Sequence, residues 1–247
     1  MMRDLAALEA SSYRTWTADE SDVVAGWHVT ATAGLSRRVN SARDLGDAIV
    51  DVAAFGALGE WFGERGLPLV VRETPMMSTD TSLAVRELWG FDAIDETRVM
   101  VGSVARSERG RVSVVPPDDV DFQAELYALN GRTDGDAATL HRIYSRIVDR
   151  GAGLWIPGQG AAVVVQDGER CAVFSLAVSD GQRRLGIGTA LMAAASTWAR
   201  ERGTSETFVQ VAGTNSPAIE LYRSLAYEEV YRYRYLVSPG RANGGGP

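Results

Sequence analysis

The strongest constraint on the fold of this 247-residue chain is that part of it is written twice. Residues 60–101 and 197–237 carry the same pattern at an offset of about 136 positions, too long a period for a solenoid and the right size for a duplicated domain. Trp61-Phe-Gly-Glu-Arg-Gly66 matches Trp198-Ala-Arg-Glu-Arg-Gly203. Leu69-Val-Val-Arg-Glu matches Phe208-Val-Gln-Val-Ala, and the run from Leu88 through Val101 matches that from Ser224 through Val237. Two copies predict an organisation of residues 1–105, residues 106–238 and a tail, 239–247, rich in Gly and Pro with nothing to bury. A linker is expected from Ser107-Glu-Arg-Gly-Arg to Pro116-Pro-Asp-Asp.

The second copy holds the chemistry. Residues 183–188 read Arg-Arg-Leu-Gly-Ile-Gly, between an apolar strand pattern at 171–178 and a helical pattern at 189–202. Glycine lets a backbone approach a ligand closely. The first N–H groups of a helix have no internal partner and, with the helix dipole, favour an anion. Two arginines add charge-assisted hydrogen bonds. Strand, basic turn and helix start make a pyrophosphate cradle. A P-loop is excluded, because all 25 basic residues are arginine and the chain has no lysine. A dinucleotide fingerprint would need an earlier first glycine and an acid after a second strand.

Further on, 208–211 reads as a strand and Gly213-Thr214 breaks it. Asn215 is an N-cap with Pro217 near the helix start. Ala218, Leu221, Tyr222 and Leu225 form one stripe, and in 230–236 Tyr231, Tyr233 and Tyr235 alternate with Arg232 and Arg234.

These two motifs, in this order, resemble the GNAT N-acetyltransferases: Arg-x-x-Gly-x-Gly, then Asn-x-x-Ala-x-x-Leu-Tyr-x-x-x-Gly-Phe, with Ala226 and Tyr227 in the last two places. Gly26-Trp and Arg37-Arg-x-Asn-Ser41 widen the resemblance to actinobacterial two-domain GNAT proteins. It implies an α/β (α+β) tandem GNAT fold, with a mixed, mainly antiparallel central sheet flanked by helices in each half. It implies acetyl-CoA as cosubstrate, its pyrophosphate held by Arg183, Arg184, Leu185, Gly186, Ile187, Gly188 and Thr189. Leu176, Ala177 and Val178 would pair with the pantetheine amides. Asn215 and Ala218 would lie along the cofactor arm, and Tyr222 would protonate the leaving thiolate. A phenol near 10 and a thiol near 8.5 suit that transfer.

The first copy departs from the pattern. The stretch before its helix, 44–56, has acids where phosphate would sit, and Arg86 stands where the tyrosine would be, so this half is expected to act as scaffold and acceptor wall. A hairpin is expected over 26–41. Its Arg37 and Arg38 either bind an acidic acceptor or pair with acids such as Asp44 and Asp47. His28 reads as a strand residue satisfied by a neighbour. The strand at 171–178 contains no acid to serve as base. Ser175 acting through water is one candidate, and Glu206, Glu228, Glu229 and Asp180 are others. Lone Cys171 reads as a buried apolar residue, so direct transfer in a ternary complex is expected.

A net charge of −7 argues against nucleic acid as partner, and no apolar run reaches membrane-spanning length. No Cys/His cluster suggests a metal. The expectation is a cytoplasmic monomer or homodimer acting on a small-molecule or peptide amine. The alternative is a non-catalytic acyl-CoA-binding or protein-interaction module.

Overall fold

The structure, a computed structural model, describes residues 4–104, 110–132 and 134–238. The tail at 239–247 and part of the expected linker, 105–109, lie outside the described residues. The N-terminal half runs α1 (Leu5–Thr15), β1 (Glu20–Val24), β2 (Trp27–Ala31), β3 (Ala42–Asp44), α2 (Val52–Gly63), β4 (Val70–Glu73), α3 (Thr79–Trp89) and β5 (Asp92–Ser103). Then follow β6 (Ser113–Val115), α4 (Val120–Leu129), α5 (Asp134–Ser145), β7 (Gly151–Ile156), β8 (Gly160–Asp167) and β9 (Arg170–Val178). The chain continues with α6 (Ile187–Glu201), β10 (Glu206–Ala212), α7 (Ser216–Ser224) and β11 (Glu228–Val237).

The duplication is visible down to single contacts. Helices α2 and α6 end alike: the N–H groups of Leu67 and Thr204 reach back to the carbonyls of Phe62 and Ala199, with Gly66 and Gly203 left-handed between them. That is the Schellman closure, which needs a residue without a Cβ penalty at positive φ. The arginine one turn after each tryptophan covers its ring, Arg65 over Trp61 at 3.8 Å and Arg202 over Trp198 at 3.6 Å. Helices α3 and α7 are capped by Ser78 and Asn215 and followed by left-handed Gly90 and Ala226.

All strands form one sheet, ordered β1-β2-β3-β4-β11-β5-β10-β9-β8-β7-β6. Pairings are antiparallel except β3 with β4 and β9 with β10, so the parallel pair recurs at the same place in each half. The centre is an exchange. Strand β5 lies between β10 and β11, while β11 lies between β4 and β5. Each half therefore takes its terminal strand from the other, and β5 and β11 pair antiparallel along their lengths.

The sheet separates two apolar layers. On one face, α6 and α7 cover Met100, Val164 and Val209, and α2 and α3 cover Val71 and Leu236. The opposite face buries Val99, Phe174, Tyr231, Tyr233 and Tyr235 under α1, α4 and α5. The expected alternation in the last strand holds, with three buried tyrosines and exposed Arg232 and Arg234. Full burial of a side chain such as Phe62 or Leu191 contributes about 1.5–3 kcal/mol. An exposed ion pair such as Arg232–Glu96 contributes about 1 kcal/mol or less, so these layers dominate the stability.

Candidate active site

Strands β9 and β10 pair in parallel only from Arg170 to Val173 and from Glu206 to Val209. Beyond Val173, Ser175 takes φ 52° and the β8–β9 register shifts between Ala161 and Val163. Such a bulge bends a strand and raises its twist, and here it carries β9 away from β10. The Asn130 side chain donates to the Ser175 carbonyl at 3.2 Å. The facing edges, 174–178 and 210–212, are left without strand partners for their backbone groups, which demand hydrogen bonds. A cavity of about 680 Å³ occupies the gap. Ala218 and Tyr222 reach it from the α7 face, while Trp16, Arg38, Tyr233 and Tyr235 line it from the other. The cavity is thus a passage through the sheet.

Beneath it, β9 turns through Arg183 and left-handed Arg184 (φ 61°) into α6. Helices α1, α2, α3, α4 and α7 are capped by Asp4, Asp51, Ser78, Asp119 and Asn215. Helix α6 has Gly186 (φ 80°) and no side-chain cap, so Ile187, Gly188 and Thr189 present first-turn N–H groups that only an outside acceptor can satisfy. Arg183 and Leu185 are exposed beside them, Arg183 pairing with Asp180 at 2.8 Å. A Cβ on Gly188 would meet Leu221 Cδ2 at 2.9 Å, so this glycine also lets α6 and α7 approach.

Of the expected donor-binding residues, Leu176, Asn215, Ala218 and Tyr222 line the cavity; Ala177, Val178 and residues 183–189 form the strand end and turn next to it. Asn215 Oδ1 accepts the Ala218 N–H at 3.2 Å, so its oxygen serves the helix. Tyr222 is 6% exposed and packs on Tyr227 with ring centres 5.8 Å apart. Burial, and then the neighbouring Tyr227, push its phenol well above the usual range. Cys171 is fully buried at 3.5 Å from Thr204 Oγ1, and burial pushes its thiol up to about 11. That is the opposite of an activated nucleophile.

The N-terminal half contributes a wall. The hairpin expected over 26–41 is instead β2 and β3 paired antiparallel around the loop 32–41, and Gly26 belongs to the tight β1–β2 turn, where a Cβ would strike the Asp47 carbonyl. Arg37 and Arg38 lie in a 3-10 turn of that loop and line the cavity. Neither pairs with Asp44 or Asp47: Arg37 binds Asp95 at 2.5 Å, and Asp44 Oδ1 accepts the N–H groups of Gly46 and Ala48. His28 sits opposite Arg43 on the sheet, and burial and then Arg43 lower its pKa.

Sequence reasoning missed Asp95 and Glu96, the acids that do line the passage. They occupy a bulge of β5 between the pairs Tyr233–Thr97 and Tyr235–Ile94, where Asp95 takes φ 51°, and no local sequence pattern announces it. Glu206 and Glu229 instead pair with Arg170 and with Arg98 and Arg232, and Asp180 with Arg183; among the described residues no cluster of His, Cys, Asp and Glu could hold a metal. In the first copy Asp51 caps α2 through the Ala54 N–H at 2.7 Å. Arg86 clamps Glu73. The anion site and the tyrosine of the second copy thus have occupied counterparts.

A mixed sheet opened at one parallel pair, with a glycine-started helix under the opening, is the fold of the GCN5-related N-acetyltransferases. The solved acetyltransferase of that class from Kribbella flavida superposes with TM-score 0.71 at 15% identity, over 97% of each chain. A tandem GNAT protein from the clavulanic acid pathway superposes with TM-score 0.55 at 12% identity, over 84% of this chain and 76% of its own. The chain belongs to the acetyltransferase family described as probable histone acetyltransferase Rv0428c C-terminal, which it matches over residues 3–236. A 69-residue stretch is 42% identical to an N-alpha-acetyltransferase of Sulfurisphaera tokodaii, covering 28% of this chain and 41% of that relative's length.

Proposed function

We propose that this protein transfers the acetyl group of acetyl-CoA to an amine in a ternary complex. The observation that carries the reading is the passage itself, with an uncapped helix start beneath it and Tyr222 on the same face. The CoA pyrophosphate would take the N–H groups of 187–189, with Arg183 and Arg184 alongside and Leu185 at the rim. The amide-bearing pantetheine arm would satisfy the open edge of β9 from Leu176 to Val178, as an added strand does. Residues 106–238 would supply this donor site and residues 1–105 the acceptor wall. Use of acetyl-CoA, an intracellular metabolite, would suit a cytoplasmic reaction.

The neutral amine would attack the thioester carbonyl from the Phe174 side. The C–N bond forms, the C–S bond breaks, and the thiolate takes the Tyr222 proton. The phenol and the leaving thiolate share one water-poor pocket, so desolvation disfavours both anions and their relative acidity changes less than either pKa. The Ser179 N–H is spent on the Gln159 carbonyl at 2.9 Å. Alternation along a strand then aims the Val178 N–H toward the opening, which supports a role in holding the oxyanion. Asp95 and Glu96 are ion-paired, so the amine proton would leave through water beside Ser175. The family description, which names a histone acetyltransferase, and the N-alpha-acetyltransferase relative both support an amine as acceptor.

The test is thermal unfolding with acetyl-CoA, CoA and ATP in parallel. Ligand at a hundred times Kd adds about 2.7 kcal/mol, a rise of about 5–10 °C for this size. The expected result is a shift with both CoA species, absent with ATP and lost in Gly188→Glu. No shift with any acyl-CoA would overturn the reading. Binding without thiol release for any amine would make the protein an acyl-CoA-binding module.

A further inference from the structure

Arg38 and Arg132 are the charged groups of the cavity wall to which no carboxylate is paired among the described residues, and Arg132 instead donates to the Leu35 carbonyl at 3.4 Å. Arg37 is neutralised by Asp95, and Glu96 is held by Arg232 at 2.9 Å. Arg38 lines the cavity without a carboxylate partner among the described residues, its Nε closed off from solvent. A guanidinium without a counter-charge on a cavity wall favours an anionic ligand there. Its Cζ lies 5.4 Å from the centre of the Phe174 ring, and Phe174 immediately precedes the bulged Ser175 where β9 leaves β10.

The loop that carries Arg38 is fixed in advance. Asn40, 6% exposed, accepts the N–H groups of Thr32 at 2.7 Å and Gly34 at 3.3 Å, and donates to the Ser36 carbonyl at 2.7 Å. A side chain presented from a pinned loop loses less freedom when it binds a partner. Arg38 also packs with Phe174 on the face opposite α6, so it lies away from the helix start that suits the donor's phosphates.

From these positions we infer that the acceptor is an amine that also carries a carboxylate, and that Arg38 binds this carboxylate as a fork while the amine lies at the opening beside Phe174 and Ser175. The inference rests on the acetyl-transfer reading and names its substrate class. An arginine pairs with a carboxylate through two parallel hydrogen bonds, which fixes the amine's direction as well as its affinity. Arg38 is here a specificity residue that touches the acceptor and takes no part in proton transfer. The half of the chain without a donor site thereby selects what is acetylated.

The experiment is calorimetric titration of the intact protein, with and without saturating CoA. The probes are the twenty L-amino acids, each beside its carboxamide, and a lysine-rich peptide amidated at its C-terminus. At least one acid is expected to bind about tenfold or more tighter than its amide, because a site built for a polar group rejects the analogue lacking it. Arg38→Gln should bring the two within about twofold, with CoA affinity unchanged; Arg38→Lys, keeping charge without the fork, should fall between. The inference is overturned if every acid and amide bind alike, if Arg38→Gln weakens both equally, or if the basic peptide outbinds every acid. Loss of CoA binding with the acid preference intact would instead sink the acetyl-transfer reading.

Discussion

Glu9 of α1 and Arg72 of β4 form an ion pair inside the molecule, Arg72 Nε lying 2.7 Å from Glu9 Oε1, with side-chain exposures of 5% and 0%. The Tyr231 hydroxyl donates to the same carboxylate, and the Arg72 guanidinium lies 3.5 Å from the ring centre of Tyr233, which lines the passage. The pair thus joins α1, β4 and the exchanged strand β11 on the α1 side of the cavity.

Removing one partner leaves the other charged and dry. Glu9→Ala is therefore expected to cost about 3–5 kcal/mol, read as a fall in the urea midpoint. Replacing the pair together by Leu and Met should cost less than the single change, since no orphan charge remains. Equal losses in both would show that packing, and not the buried charge, dominates there.

Tyr222→Phe should lower kcat by about a hundredfold, the lower end for a positioned acid, with acetyl-CoA affinity nearly unchanged. Steady-state thiol release and acetyl-CoA titration measure the two separately. Unchanged turnover would remove Tyr222 from the chemistry.

Glu73 links α3 to the exchanged strand through Ser82, Arg86 and Arg234. Burial alone would raise its pKa, but the Ser82 hydroxyl and the two arginines hold it below its ordinary 4.5. A depressed carboxylate stabilises the fold above the unfolded pKa, and that contribution is lost as pH falls through the lower folded value. Glu73→Gln should be less stable than the parent at pH 7, and the gap should close in urea titrations below pH 4.5. A gap that persists in acid would assign the effect to something other than charge.

Ala226 takes φ 61° where the first copy has Gly90 at 65°. A Cβ in the left-handed region costs about 1–2 kcal/mol, partly offset by the freer unfolded chain of glycine. Ala226→Gly should raise stability by up to about 1 kcal/mol without changing acetyl-CoA binding, as a calorimetric melting curve would report.

Much of this was readable in the chain because it is local. The glycine-started helix, the Asn215 cap and the alternating tyrosines each follow from a few neighbouring residues, and the repeat showed that the pattern occurs twice. Helix α1 was not seen because its buried face holds Glu9, Ser11, Ser12 and Thr15, a polar stripe that gives no apolar periodicity. The exchange of β5 and β11 was hidden for another reason. Both strands satisfy the same alternation, and nothing local says which copy each will join. Arg37 and Arg38 stood out as a motif, but their place beside Phe174 depends on contacts over long stretches of chain.

The exchange of strands has a consequence for biosynthesis. A chain leaving the ribosome delivers β1 to β4 long before β11, so the edge of β4 that β11 will cover stays bare while more than half of the protein is still being made. An uncovered edge is a template for pairing with other chains, and multi-part proteins misassemble by this route. Closure of the N-terminal half therefore waits on residues 228–237, which makes completion of both halves of the sheet a single late event.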